Sequence, residues 1–256
     1  MKTHTKTSSI RRGILAATIL GTFAATALTS HAAVVTWGGA QNVSGDTDVS
    51  TAGTLVGAFN LGGPGVGNTT VNGTTFTALA VTGSSVTSGN FNVAAPGPIL
   101  TFNGQSSGAA PFSILSAPYQ SLLSSFVANN GQAVTLTMNG LVTGATYQFE
   151  WWSTRAGSAG FLTTATAGNS VTLNSNPTGL AGGPGTFAIG TFVADVTSQA
   201  IVFSSPSLGA VNGFQLRDLS PASAVPEPGS ARAGMLALGV CLGGLAGRSR
   251  RQIAAA

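Results

Sequence analysis

Glu150 with Asp195 or Asp218 could supply the two carboxyl groups that flank a glycosidic bond during hydrolysis, one as acid and the other as base or nucleophile. Asp46, Asp48, Glu150, Asp195 and Asp218 are the only acids between Ala33 and Ala224, a thin stock for catalysis. Glu150 on a strand opposite Arg155 or Arg217 reads more readily as a structural ion pair or a solvated side chain. Asp46-Thr47-Asp48, following Gly45, sets two hard oxygen ligands on a flexible turn, a beginning toward the roughly six to eight oxygens that calcium takes. The plain alternative is a polar turn whose aspartates bond nearby backbone amides. Trp152 offers a third chemistry. Tyr147, Phe149 and Trp151 alternate with Gln148, Glu150 and Trp152, so a core-facing first set puts Trp152 on the outer face. There an indole could stack on a sugar ring while Gln148 and Arg155 hydrogen-bond its hydroxyls. Burial in the core or beneath a loop is the other option for so large an aromatic.

Other chemistry is removed by residue type. The two histidines are His4 and His31, the single cysteine is Cys241, and the lysines are Lys2 and Lys6. The chain between them therefore lacks a Ser-His-Asp hydrolase set, a thiol nucleophile, a Schiff-base lysine and imidazole or thiolate ligands for zinc. No catalytic residues and no cofactor are expected, calcium at Asp46 and Asp48 aside. The net charge of +4 also misleads. Between Ala33 and Ala224 only Arg155 and Arg217 stand against five acids, so the basic charge belongs to the two ends. Phosphate contacts need clustered lysines and arginines, and a nucleic-acid partner is excluded on that ground.

Those ends read as address signals. Lys2, Lys6, Arg11 and Arg12 form a positive n-region, Ile14–Leu28 an apolar h-region, and Ser30-His31-Ala32 a small-x-small cleavage site, the pattern of a signal peptide cut after Ala32. At the other end Val225-Pro226-Glu227-Pro228 precedes an uncharged apolar run, Ala233–Gly247, and then Arg248, Arg250 and Arg251. As a helix this run would be about 22 Å long, short of a hydrocarbon core of about 30 Å. Arg232 must then snorkel outward or the bilayer must thin. Arginines after Gly247 stay cytoplasmic, which places Ala33–Pro228 outside the inner membrane.

The C-terminal combination resembles the PEP-CTERM sorting signal of Gram-negative bacteria. Pro226, Glu227 and Pro228 match the namesake tripeptide and the three arginines its basic tail, while Arg232 departs from the uncharged residues usual there. The resemblance implies signal peptidase and an exosortase-type transpeptidase as partners, a transient inner-membrane intermediate, and delivery to the cell envelope or extracellular matrix, with extracellular polysaccharide as a further partner.

Between the signals, short apolar alternations separated by Gly, Asn, Ser, Thr and Pro predict an all-β sandwich. Val134, Leu136 and Met138 alternate with threonines before an Asn139-Gly140 turn. Phe187, Ile189 and Phe192, then Ile201–Phe203 and Phe214–Leu216, read as later strands. Val71-Asn72-Gly73-Thr74 predicts a tight hairpin. Tyr119, Leu122, Leu123 and Phe126 repeat at helical spacing after Pro118, which predicts one short amphipathic helix against a sheet edge. Leu141–Phe149, leading into the aromatic strand, resembles the jelly-roll passengers of other PEP-CTERM proteins and of carbohydrate-binding modules. The expected organisation is a signal peptide (1–32), a β-sandwich passenger of jelly-roll type (33–221), a sorting segment with a hydrophobic helix (222–251) and a short tail (252–256). The expected role is noncatalytic, structural or adhesive. A lectin-like module is the alternative, with a calcium-stabilised adhesin, an ice-binding protein and a carboxylate glycosidase behind it.

Overall fold

The computed structural model describes residues 33–128, 131–157 and 160–221. The signal peptide, the sorting motif Val225–Pro228, the apolar run and the arginines 248, 250 and 251 all lie outside the described residues. Within them the strands run β1 (Thr36–Trp37), β2 (Gln41–Asn42), β3 (Thr54–Gly62), β4 (Thr69–Val71), β5 (Thr74–Ala80), β6 (Ser85–Ser88), β7 (Phe91–Ala94) and β8 (Leu100–Phe102). Helix α1 (Ala117–Leu123) follows, and then β9 (Phe126–Ala128), β10 (Val134–Asn139), β11 (Thr146–Ser153), β12 (Leu162–Ala167) and β13 (Asn169–Asn174). The last strands are β14 (Thr186–Val193), β15 (Ser198–Ser204), β16 (Ala210–Val211) and β17 (Gly213–Asp218).

Two large sheets pack face to face. One has the order β1-β14-β11-β17-β3-β5-β4, with β2 also on β14, and the other the order β13-β12-β15-β10-β7-β6. A small sheet, β16-β9-β8, lies beside them. The pairs are antiparallel except β3 with β5, which is parallel. The expected all-β sandwich is what the chain forms.

Alternation explains the core. Val134, Leu136 and Met138 of β10 are buried, and they pair with Phe203, Ile201 and Gln199 of β15. From the facing sheet come Tyr147, Phe149 and Trp151 of β11 with Phe214 and Leu216 of β17. Rings lock the layers together: Trp151 meets Phe203 edge-on at 5.0 Å and Phe59 meets Phe91 at the same separation. Edge-on and tilted pairs of this kind suit the ring quadrupoles. The β4–β5 hairpin turns through Asn72 and Gly73, at φ 45° and 74°, the two positive dihedrals that a type I′ turn demands.

The eight-stranded sheet has a second apolar layer on its outer face. Trp152, Phe187, Ala58 and Phe76 point that way, and Val43, Val49, Phe112 and α1 cover them. Ser116 caps α1 by accepting the Tyr119 N–H at 3.2 Å, and Pro118 sits in the first turn, where its missing N–H costs nothing. Tyr119, Leu122 and Leu123 form the buried stripe. The fourth residue of the expected stripe, Phe126, does not belong to the helix. It opens β9 and stacks on Phe102 at 4.8 Å, because pairing with β8 and β16 claims the backbone from that point. The helix spreads over the sheet face instead of only flanking its edge. Among the described residues no helix is long and apolar enough to cross a membrane.

Candidate functional site

Asp46, Asp48 and Glu150 lie where the segment from Ser44 to Gly53 crosses the outer face of the sheet. Asp46 and Asp48 lie on one turn of 3₁₀ helix. Asp48 accepts the Ser44 N–H and hydroxyl, each at 2.6 Å, and the Gly45 N–H at 3.0 Å, the local capping that favours Asp at such turns. Its Oδ2 also accepts the Tyr119 hydroxyl at 3.2 Å, and Asp46 Oδ1 accepts the Ser116 hydroxyl at 2.6 Å. Both aspartates are thus spent on joining the turn to the start of α1. Among the described residues no three His, Cys, Asp or Glu side chains come together as a metal would require.

Glu150 lies beneath this cover, on the outer face of β11, with no exposed surface. Its Oε2 accepts the Ser50 N–H at 3.0 Å and a short hydrogen bond from Gln215 Nε2. Gln215 stands directly opposite it on β17. Gln215 Nε2 also donates to the Ser50 carbonyl at 3.0 Å, and its Oε1 accepts Arg217 Nε at 2.9 Å. Arg217 then reaches the Thr74 hydroxyl at 2.8 Å. The expected contact between Glu150 and an arginine is therefore relayed through an amide. Glu150 Oε1 finds no partner among the described residues. Burial, outweighing the Gln215 and Ser50 hydrogen bonds, lifts the Glu150 carboxyl from 4.5 to about 7, with Asp48 pushing further up and Arg217 down. Burial, and next the charge of Asp48, raises the Tyr119 hydroxyl well above 10.0.

The acids proposed to work with Glu150 are elsewhere. Asp195 is exposed in the turn after β14. Asp218 pairs with Tyr147, an odd number of residues along β11 from Glu150, and so belongs to the other face of the sheet. The structure does not bring Glu150 together with Asp195 or Asp218.

Trp152 takes the buried one of its two readings. It points outward as the alternation requires, but it is 0% exposed. Phe76 meets it edge-on at 5.5 Å, and its Nε1 donates to the Tyr119 hydroxyl at 3.0 Å. No face of the indole is open to a sugar, because α1 lies over it. Gln148 is half-buried on the same strand, and Arg155 sits beyond the strand end with its guanidinium 4.3 Å from the Phe161 ring and 5.3 Å from that of Phe126. Burial lowers the Arg155 pKa. Trp152, Gln148 and Arg155 therefore share no surface.

One residue with a large structural role went unseen in the sequence. Asn212, fully buried between β16 and β17, donates its amide to the carbonyls of Leu123, Ser125 and Thr154 at 2.7, 2.9 and 3.2 Å and accepts the Thr154 N–H at 2.6 Å. It ties the end of α1 and the end of β11 to the sheet. Asn212-Gly213 reads by itself only as a turn signal, and nothing in its spacing marks the difference.

No protein-family model and no curated protein matches the chain. Among solved structures, an exo-β-1,3-galactanase from Phanerochaete chrysosporium with galactose is similar over 56% of this chain and 30% of that one, at 16% identity and a TM-score of 0.30. The carbohydrate-binding modules of a β-sandwich superfamily are similar over 56% of this chain and 71% of theirs, at 14% identity and a TM-score of 0.15. The chain spans less than a third of the galactanase.

Proposed function

We propose that this chain is an exported, noncatalytic structural or adhesive protein of a bacterial cell envelope or extracellular matrix, a jelly-roll β-sandwich sorted and cleaved through Val225–Pro228. One observation carries the proposal: the ordered run of Pro226-Glu227-Pro228, the apolar segment Ala233–Gly247 and the arginines 248, 250 and 251, in a chain that also opens with a signal-peptide pattern. The passenger is compatible with such a role. It contains no histidine, cysteine or lysine, and its one buried carboxylate, Glu150, is sealed under the segment from Ser44 to Gly53.

Mass spectrometry of protein recovered from the envelope of its host tests this. The expected product begins after Ala32 and lacks Arg248, Arg250 and Arg251, and replacing both Pro226 and Pro228 by Ala leaves the tail attached and the protein in the inner membrane. Intact full-length chain in the cytosol would refute the proposal. A carbohydrate-binding module is the second reading, favoured by an uncharged groove at one corner of the sandwich.

A further inference from the structure

We propose that this groove, at the corner where the two sheets part, is a binding site for a neutral polysaccharide chain. It rests on the reading of the protein as a carbohydrate-binding component of the envelope or matrix, and names the surface that would touch the polymer.

The groove originates in an irregularity of β3. Leu216 of β17 pairs with Gly57 and Arg217 with Leu55, so Val56 is an extra residue in the ladder. A bulge bends its strand and re-aims the side chains beside it. Leu55 and Val56 are accordingly 39% and 43% exposed, within a strand whose later residues are buried. The parallel pairing of β3 with β5 begins only at Phe59 and Thr77, so the two strands are not paired with each other before that point. Between them and the turn joining β6 to β7 lies a solvent-open groove of about 450 Å³, within the roughly 300–1,000 Å³ of known ligand sites.

Its lining has two characters. Leu55, Val56, Phe59 and Phe91 make an apolar floor. Gly57 lets the Phe91 ring lie against the strand, since a Cβ there would come within 2.7 Å of it. Thr75, Thr77, Ser88 and Asn90 make a polar rim. Neighbouring side chains are already paired, Thr75 with Thr70 at 3.0 Å and Thr87 with Asn92 at 2.8 Å. Among the described residues, the side chains of Thr77, Ser88 and Asn90 make no hydrogen bond, while the Asn90 carbonyl accepts Asn139 Nδ2 at 3.4 Å.

This combination selects a ligand class. No charged side chain lines the groove, so a phosphate or uronate would lose hydration without gaining the charge-assisted bonds that repay it. A wholly apolar ligand would strip water from Thr77, Ser88 and Asn90 and return no hydrogen bond. A neutral sugar chain meets both demands, laying C–H faces on the floor and offering hydroxyls to the rim. The groove is open to solvent, as a bound polymer requires.

Native gels cast with dextran, laminarin, a galactan or alginate test the proposal on full-length protein in mild detergent. At least one neutral polymer is expected to retard the protein. Thr77→Arg, at an exposed position that does not support the core, should weaken that retardation by about tenfold or more, Asn90→Ala should weaken it less, and Leu180→Arg, exposed and far from the groove, should leave it unchanged. Three results would overturn the site: no retardation by any neutral polymer, stronger retardation by alginate, or wild-type retardation of Thr77→Arg. Groove variants should still be processed at the C terminus, so failure of the groove and failure of the envelope assignment are separate outcomes.

Discussion

Glu150 gives the molecule a pH dependence that runs opposite to that of a salt-bridged carboxylate. Its folded-state carboxyl is lifted from 4.5 to about 7 by burial, so between these values the folded chain holds a proton that the unfolded chain has released. Stability then falls as pH rises through that window, since it increases with pH only where the unfolded state binds more protons. At about 1.4 kcal/mol for each tenfold change in proton affinity, the rise from 4.5 to about 7 amounts to about 3 kcal/mol. About 2.5 kcal/mol of this is lost between pH 5 and pH 8, which for a domain of this size is a fall of about 5–10 °C in melting temperature. The passenger contains no histidine, cysteine or lysine, so apart from an α-amino group little else titrates in that range. Glu150→Gln should abolish the slope. The glutamine carbonyl can keep both bonds that Oε2 accepts from Ser50 and Gln215, while its amide replaces the unpartnered Oε1 and resembles the protonated acid. Thermal unfolding followed by circular dichroism at pH 5, 6, 7 and 8 measures both proteins. A wild type that gains stability toward pH 8, or a variant that keeps the slope, would refute the reasoning.

Two further perturbations separate structural from ligand roles. Asn212→Ala leaves the carbonyls of Leu123, Ser125 and Thr154 and the Thr154 N–H without their partner, and should cost about 3 kcal/mol or more in urea unfolding; a loss below about 1 kcal/mol would remove it as a junction. Asp48→Asn turns an acceptor of three N–H and O–H groups around Ser44 and Gly45 into a partial donor, at a cost of about 1–3 kcal/mol that should be the same with calcium or with chelator. A wild-type melting temperature that rises with calcium, and a variant that loses the rise, would return Asp46 and Asp48 to metal binding.

Much of the fold was legible because its signals are local. Val134, Leu136 and Met138 alternate with threonines and proved buried, and Asn72-Gly73 supplied the positive dihedrals its turn needs. Tyr119, Leu122 and Leu123 marked a helix by their spacing, with Pro118 suited to its first turn. The boundary at Phe126 was not legible, since its place in the apolar spacing suits a fourth helical contact as well as the first residue of a strand. The bulge at Val56 was equally hidden, because it exists only as a mismatch between two strands more than a hundred residues apart.

The sequence by itself determined the class, an alternating β-rich chain poor in charge, and the chemistry it lacks, because composition and period two act residue by residue. It also determined which side chains of β11 point away from the first core. Only the tertiary structure decided what happens to them. Alternation sends Glu150 and Trp152 outward, but it says nothing of whether water or protein waits there, and here the turn at Asp46–Asp48 and helix α1 close over both. The same long-range packing that sealed Trp152 left Leu55 and Val56 uncovered at the corner of the sandwich, because burial is a property of what two distant segments do together.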